Sequence, residues 1–396
     1  MTTIEEKNIK SIATPVEIGD RLTPTPASRP NSNKAGISII QYDPALTSIV
    51  GPSPTHALLL SSLDASANAF FHRGCVYIPS RKELWTTSAP LAATDPTRPP
   101  TILMSKVNVE PSKTNDTLAV KWAKMRPPPT MPMPAGGCLV GDDVAVWCSQ
   151  GTMASQTGGV LMMQAGRHPQ RVASGYYGHD FNSPHSAAVS PLDNGIWFTD
   201  PCCGHEQDFR ARPQLPPQVY RCEPKTGEVR AMADGFKRPT GIAIDEEFET
   251  VYVADAGGVR VDGSLDLTEP RSIYAFDIVK RSGSVFLVNR RLFALARRGA
   301  PMHLMCENGN VWAACSDGIE IWSNGGSLLG AILVPGKFDA LNMRFLYVGH
   351  ANEGFLTGGV MSFCRGPDDT VFICAEQRLW RLQLSGDHSV ASPELL

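Results

Sequence analysis

Charge is scarce in this chain: Asp, Glu, Lys and Arg make up 19% of its 396 residues, against the ~25% usual for a globular domain. Its 36 basic and 39 acidic side chains leave a formal net charge of -3, which gives no electrostatic footprint for nucleic acid or anionic lipid. No apolar run reaches the ~20 residues that cross a bilayer, and the opening MTTIEEKNIK is polar where a secretory signal is basic and then apolar. A cytosolic protein is expected. Catalytic signatures are missing as well: G-x-S-x-G, H-E-x-x-H, G-x-G-x-x-G and the phosphate-binding P-loop do not occur. Neither C-x-x-C nor a Cys/His pair at zinc spacing occurs, so the ten cysteines, adjacent Cys202 and Cys203 among them, read as buried free thiols. The sequon at Asn115 carries no weight without secretion.

What the chain has in plenty is Gly (35) and Pro (32), together about 17%, where ~12% is usual. With 42% apolar residues, this mixture favours many strands and tight turns around a sizeable core. Residues 1–60 carry scattered Pro, Ser, Thr and Asn and read as an extended, partly ordered arm, in which GISIIQY can dock as a strand. From residue 61 to 396 one pattern recurs: a strand, a polar turn, then an aromatic-containing strand ending in small or polar residues. Its copies are CVYIPSRKELWTTS, CLVGDDVAVWCSQG, VSPLDNGIWFTD, AIDEEFETVYVADA, LMCENGNVWAACSDG and CRGPDDTVFICAEQ.

The aromatic residues of the second strands are Trp85, Trp147, Trp197, Tyr252, Trp312 and Phe372, at intervals of 62, 50, 55, 60 and 60. Six markers at near-regular spacing, with turns such as Asp-Asn-Gly, predict an all-β fold: a six-bladed β-propeller with an N-terminal extension. Twelve residues before the first four markers stand Arg73, Ala135, His185 and Thr240, and ten before the fifth stands Met302. Each opens the first strand of a blade, and first strands line a propeller's channel, so these five are expected to face one another across one cavity.

The segments FNSPHSAAVSPLDNGIWFTDPCCG, RPQLPPQVYRCEPKTGEVRAMADGFKRPTGIAIDEEFETVYVADAG, FHRGCVYIPSRKELWTTS, GAPMHLMCENGNVWAAC and DGIEIWSNGGSLLG resemble the senescence marker protein/gluconolactonase family, in particular its fungal lactonohydrolase-like branch. The resemblance runs from about residue 70 to the end. It implies a six-bladed propeller whose channel holds a divalent cation, usually calcium, and hydrolyses sugar lactones or related esters. The ligand positions it implies are all altered here. Arg73 stands for a metal-binding Glu, Pro184-His185-Ser186 for Pro-Asn-Asp, Pro239-Thr240-Gly241 for Pro-Asn-Gly, and Pro301-Met302-His303 for Pro-Asp-Gly. Ala135 replaces a further Asn.

Calcium takes roughly six to eight hard oxygen ligands. A guanidinium offers only donors and a thioether is soft, so a channel without metal and without cofactor is expected. Lactone hydrolysis by the family route then loses the ion that polarises the carbonyl. A hub of Arg73, His185, Thr240, Met302 and His303, with Ala135 making room, suits a mostly hydrocarbon ligand with one oxygenated head. That description resembles the fungal hetero-Diels–Alderases of tropolone sesquiterpenoid assembly. There a hydroxymethyl tropolone loses water to an o-quinone methide, which adds across an alkene of a humulene-type macrocycle. The resemblance implies a metal-independent pericyclase with polyene and tropolone substrates. Arg73 would polarise the tropolone oxygen, His185 or His303 would protonate the departing hydroxyl, and Met302 would shape the pocket. Tyr177, Gln150 and His179 are further substrate-binding candidates on neighbouring loops. The alternatives are a metal-dependent lactone hydrolase and a propeller that only binds its ligand.

Each residue also has a structural reading. Arg73 can pair with an acid and plug the channel, His185 and Thr240 can satisfy backbone groups at strand starts, and Met302 can be packing. Asp200 and Asp255, at equivalent strand ends, read as acceptors for turn amides rather than as a catalytic pair. The doublets Arg290-Arg291 and Arg297-Arg298 read as solvated loop faces.

Overall fold

The computed structural model describes residues 2–5, 7–9, 12–13, 36–95, 97–111, 117–190, 193–245, 247, 249–335, 338–339, 344–345 and 359–385. They form a six-bladed β-propeller. Blade one comprises Arg73–Ile78, Glu83–Thr87, Met104–Pro111 and Thr117–Met125; blade two, Pro134–Val140, Val144–Ser149, Gly159–Gln164 and Gln170–Ala173. Blade three comprises Ala187–Val189, Ile196–Asp200, Gln218–Cys222 and Val229–Ala233; blade four, Pro239–Asp245, Thr250–Asp255, Ser272–Arg281 and Ser284–Leu295. Blade five comprises His303–Glu307, Asn310–Cys315, Gly318–Ser323 and Leu328–Leu333. In all of these the pairing is antiparallel and consecutive, so sequence order is spatial order from hub to rim.

The sixth blade joins the two ends of the described chain. Its three inner strands are Ser362–Arg365, Thr370–Ala375 and Arg378–Gln383, and its outer strand is Thr55–Ser61, paired from Gln383↔Thr55 to Arg378↔Ser61. The propeller therefore begins within the stretch expected to be an arm. Ser38–Gln41, from GISIIQY, adds a fifth strand to blade five against Leu328–Leu333, and Thr2–Glu5 does the same for blade one. Each such addition covers an edge that would otherwise present unpaired backbone groups.

All six marker aromatics lie in second strands and are buried, from 0% exposure at Trp147 and Trp312 to 4% at Trp85. They fill the space between blades: Trp85 and Trp147 rings are 6.4 Å apart, and Phe372 of blade six stacks on Tyr77 of blade one at 5.8 Å. The repeat in the sequence is thus the repeat of one packing event, burial of a large ring between neighbouring sheets.

At the centre, each first strand packs on the first strand of the next blade, and blade six closes on blade one. Glycine permits this closeness where the backbones meet. A Cβ on Gly74, at φ +59, would lie 2.7 Å from the Ala135 carbonyl oxygen, and one on Gly136 would lie 2.6 Å from that of His185.

Candidate functional site

Because first strands pair with second strands, the starts of the former and the ends of the latter share one face of the ring. In blades three and four an acidic side chain at that strand end fixes the loop that enters the blade. Asp200 accepts from the amides of Asn182 (2.9 Å) and Ser183 (2.7 Å), and Asp255 from those of Lys237 (3.0 Å), Arg238 (2.8 Å) and Gly257 (3.1 Å). Both carboxylates act as the turn acceptors expected from sequence. Burial outweighs the two amides at Asp200 and raises its pKa to about 7. In blade five Glu320, on the third strand, accepts from the amides of Arg297 and Arg298.

The five residues picked out by spacing open adjoining inner strands, and a belt of hydrogen bonds links them blade to blade. Thr87 Oγ1 donates to the Ala135 carbonyl (3.1 Å), and the Gly136 amide donates to the His185 carbonyl (2.7 Å). His185 Nδ1 donates to the Thr240 carbonyl (2.7 Å), and Thr240 Oγ1 to the Pro301 carbonyl (3.0 Å). The His303 ring bonds the Phe363 backbone and meets the Phe363 ring edge-on at 5.1 Å, and the Phe71 amide donates to the Glu376 carbonyl (2.8 Å). His185 and Thr240 therefore do satisfy strand-start carbonyls. That fixes the His185 tautomer and leaves Nε2 as a free acceptor, buried and without a partner among the described residues.

Arg73 differs from its neighbours in the belt. Its Nε donates to His72 Nε2 (3.1 Å), while its two terminal nitrogens meet no acceptor among the described residues. Burial lowers its pKa, Cys203 and Glu376 oppose this, and Arg238 adds to it; guanidinium nonetheless stays charged. Arg238 is held by Glu206 Oε2 (2.6 Å) and by the Val259 carbonyl. The same positive charges act on the imidazoles. Burial, then Arg73, pushes the His185 pKa well below its ordinary value; burial brings that of His303 to about 4, with Arg73 contributing.

Those shifts correct one expectation. At neutral pH both rings are uncharged, so neither is the imidazolium acid proposed for dehydration; the hub's permanent cations are guanidinium groups. Tyr177 and His179 sit on the hairpin between blades two and three, exposed, with Tyr177 87% accessible and His179 bonded to Gln214 Oε1 (3.0 Å). Gln150 is buried and follows the second strand of blade two on the hub face. Met302, partly buried, immediately precedes the first strand of blade five. Arg297, expected in solvent, is buried against Asp317 (2.9 Å) and Glu320 (3.8 Å), while Arg290 and Arg291 are exposed. The ten cysteines are free, and burial raises the pKa of Cys203 and brings that of Cys202 to about 12, which opposes a thiolate nucleophile. Asn342, Asn115 and the HANEGFLTG stretch lie outside the described residues.

Spacing missed His72 and Glu376. Glu376 Oε2 accepts from His72 Nδ1 (2.7 Å), which completes a line Glu376–His72–Arg73 across the seam between blades six and one. The acid directly after the second strand of blade six, as Asp200 and Asp255 end theirs, was the available signal.

Residues 130–352 match the SMP-30/Gluconolactonase/LRE-like region. The chain belongs to this family. Two relatives in Aspergillus oryzae, Lactonohydrolase oryH and Lactonohydrolase oryL, are 33% identical over 146 residues and 28% over 193. These matches take in 34% and 44% of this chain, and it spans only 30% and 42% of the length of those relatives. Among solved structures, a gluconolactonase from Xanthomonas campestris superposes with a TM-score of 0.59 at 21% identity, over 90% of this chain and 99% of that one. A putative gluconolactonase does so with 0.60 at 17%, over 87% and 97%. At those identities the likeness concerns the fold.

A calcium-type ion fits poorly among the residues that stand at the blade starts of this chain. A cationic guanidinium, a methyl group, an imidazole, a hydroxyl already donating to a carbonyl and a thioether do not make a hard oxygen cage. Among the described residues no group of three His, Cys, Asp or Glu is placed to hold a metal ion, and no helix is long and apolar enough to cross a membrane.

Proposed function

We propose that the hub is an active site for hydrolysis of a lactone or related ester, in which a guanidinium holds the carbonyl oxygen. The observation that carries this is the pair of terminal Arg73 nitrogens without an acceptor among the described residues, at the start of blade one. The family and its named lactonohydrolase relatives support the reaction class. In this reading the substrate carbonyl accepts from Arg73, and water adds to the carbonyl carbon. His185 Nε2 takes the proton that water loses, the ring C–O bond breaks, and the leaving alkoxide recovers that proton. A neutral His185 is in the right state to accept, and fixed donors at the developing oxyanion are worth on the order of 10²–10³ in rate.

The test is turnover of a panel of γ- and δ-lactones by the purified protein, with and without EDTA. Hydrolysis that survives the chelator and falls about 10²-fold or more in Arg73→Ala is expected. Activity that depends on added calcium or zinc, or that survives Arg73→Ala, overturns the proposal.

One observation favours a second reading. The His185 and Thr240 donors are engaged with carbonyls, which leaves Arg73 as the belt's free donor among the described residues and little apparatus for handling water. The same contact would activate an o-quinone methide for hetero-Diels–Alder addition to a humulene-type alkene, a reaction needing position and one oxygen contact. Conversion of tropolone and polyene precursors with no lactone turned over selects this reading; tight binding with no product selects a ligand-binding propeller.

A further inference from the structure

Arg73 is fixed by residues from the other end of the chain. His72 and Glu376 are 304 positions apart, yet the Glu376 carboxylate holds His72 Nδ1 at 2.7 Å, and His72 Nε2 accepts from Arg73 Nε at 3.1 Å. We propose that Glu376 and His72 are positioning residues of the hub: together they aim the terminal guanidinium nitrogens of Arg73 at the substrate oxygen. This rests on the reading of Arg73 given above.

The chemistry is directional. His72 can accept from Arg73 at Nε2 only when its proton is on Nδ1, and a carboxylate against Nδ1 selects that tautomer. Nε is the one guanidinium nitrogen inside the side-chain stem, so holding it orients the plane and leaves both terminal nitrogens outward. The backbone locks the pair as well, because the His72 amide donates to the Thr87 carbonyl (2.9 Å) and the Phe71 amide to the Glu376 carbonyl (2.8 Å). Glu376 is 1% exposed, and its Oε1 is buried with no partner among the described residues. A carboxylate buried with one oxygen unsatisfied is a poor device for stability. It is a sound one for orienting a base that orients a cation.

The test joins a tautomer measurement to kinetics. Long-range proton–nitrogen NMR of the full chain, with the His72 signals assigned through His72→Gln, is expected to find the Nδ1–H tautomer in wild-type protein. Glu376→Gln keeps an acceptor for that proton and should preserve the tautomer and most of kcat. Glu376→Leu should give a mixed or inverted tautomer, with kcat on lactones down on the order of 10- to 100-fold and KM changed less than threefold. A folded Glu376→Leu protein that keeps the wild-type tautomer, or keeps kcat where Arg73→Ala has lost it, overturns the proposal. If no lactone is turned over at all, the functional reading fails, while the NMR arm still decides the relay.

Discussion

Removing the Asp255 carboxylate separates a structural role from a catalytic one. Asp255 is 1% exposed and accepts three amides, those of Lys237, Arg238 and Gly257, at 2.8–3.1 Å. In Asp255→Ala the Lys237 amide, on an exposed residue, turns to water at small cost. The Arg238 and Gly257 amides are less accessible, and each unsatisfied donor costs about 1–3 kcal/mol. Part of this returns because a carboxylate no longer has to be stripped of water, leaving a net loss of roughly 3 kcal/mol. At ~2.1 cal/mol/K per residue, unfolding this 396-residue chain carries an entropy near 0.8 kcal/mol/K, so Tm should fall about 4 °C. Differential scanning calorimetry reads the shift. Asp255→Asn should lose much less, because its Oδ1 can keep the Arg238 and Gly257 amides while its NH₂ faces only the amide of exposed Lys237. Lactone turnover should fall in proportion to the displacement of the Pro239-Thr240 strand start, not vanish. An Asp255→Ala protein with unchanged Tm and abolished activity would refute the clasp and restore the carboxylate to the chemistry.

Two further outcomes follow from the closing blade and the hub imidazoles. Leu59, 1% exposed on the strand that closes blade six, should cost 2–5 kcal/mol on Leu59→Ala by denaturant unfolding, whereas Val261→Ala at 53% exposure should stay within about 0.5 kcal/mol. His303, lowered from 6.5 to about 4, refuses protons that the unfolded chain accepts; its contribution is therefore present above pH 6.5 and is lost as pH falls, by roughly 2 kcal/mol at pH 5. Asp200 and Glu320, raised to about 7 by burial, oppose it in the same window. The clean readout is thus His303→Gln against wild type, whose stability difference should move about 2 kcal/mol in the variant's favour between pH 7.5 and pH 5. A constant difference would contradict the neutral ring.

The six blades were legible because an aromatic ring is buried in the second strand of each, and a repeated packing event leaves an aromatic residue at a repeated position. The blade-start residues were legible for the same reason, since their distance from the marker is set by the length of one strand and the turn that follows it. What that counting could not carry is environment. Nothing near Arg297 in sequence announces Asp317 and Glu320, which reach it from the next hairpin. The neutrality of His185 and His303 comes from burial and from Arg73, neither of which a motif records. Tyr177 and His179 lie on a connection whose course is set by its own two-stranded hairpin, outside the repeat.

The Glu376–His72–Arg73 line shows why the chemistry of such a ring resists reading from one end. Its members come from the last blade and the first, and only closure through Thr55–Ser61 brings them together. The belt of carbonyls and side-chain donors already ties blade to blade through protein groups, so joining the inner strands does not call for an ion at the centre. A hub that holds itself together in this way does not need the Arg73 side chain to join its blades. With its stem fixed by His72, a guanidinium there can serve an incoming oxygen instead of its own fold.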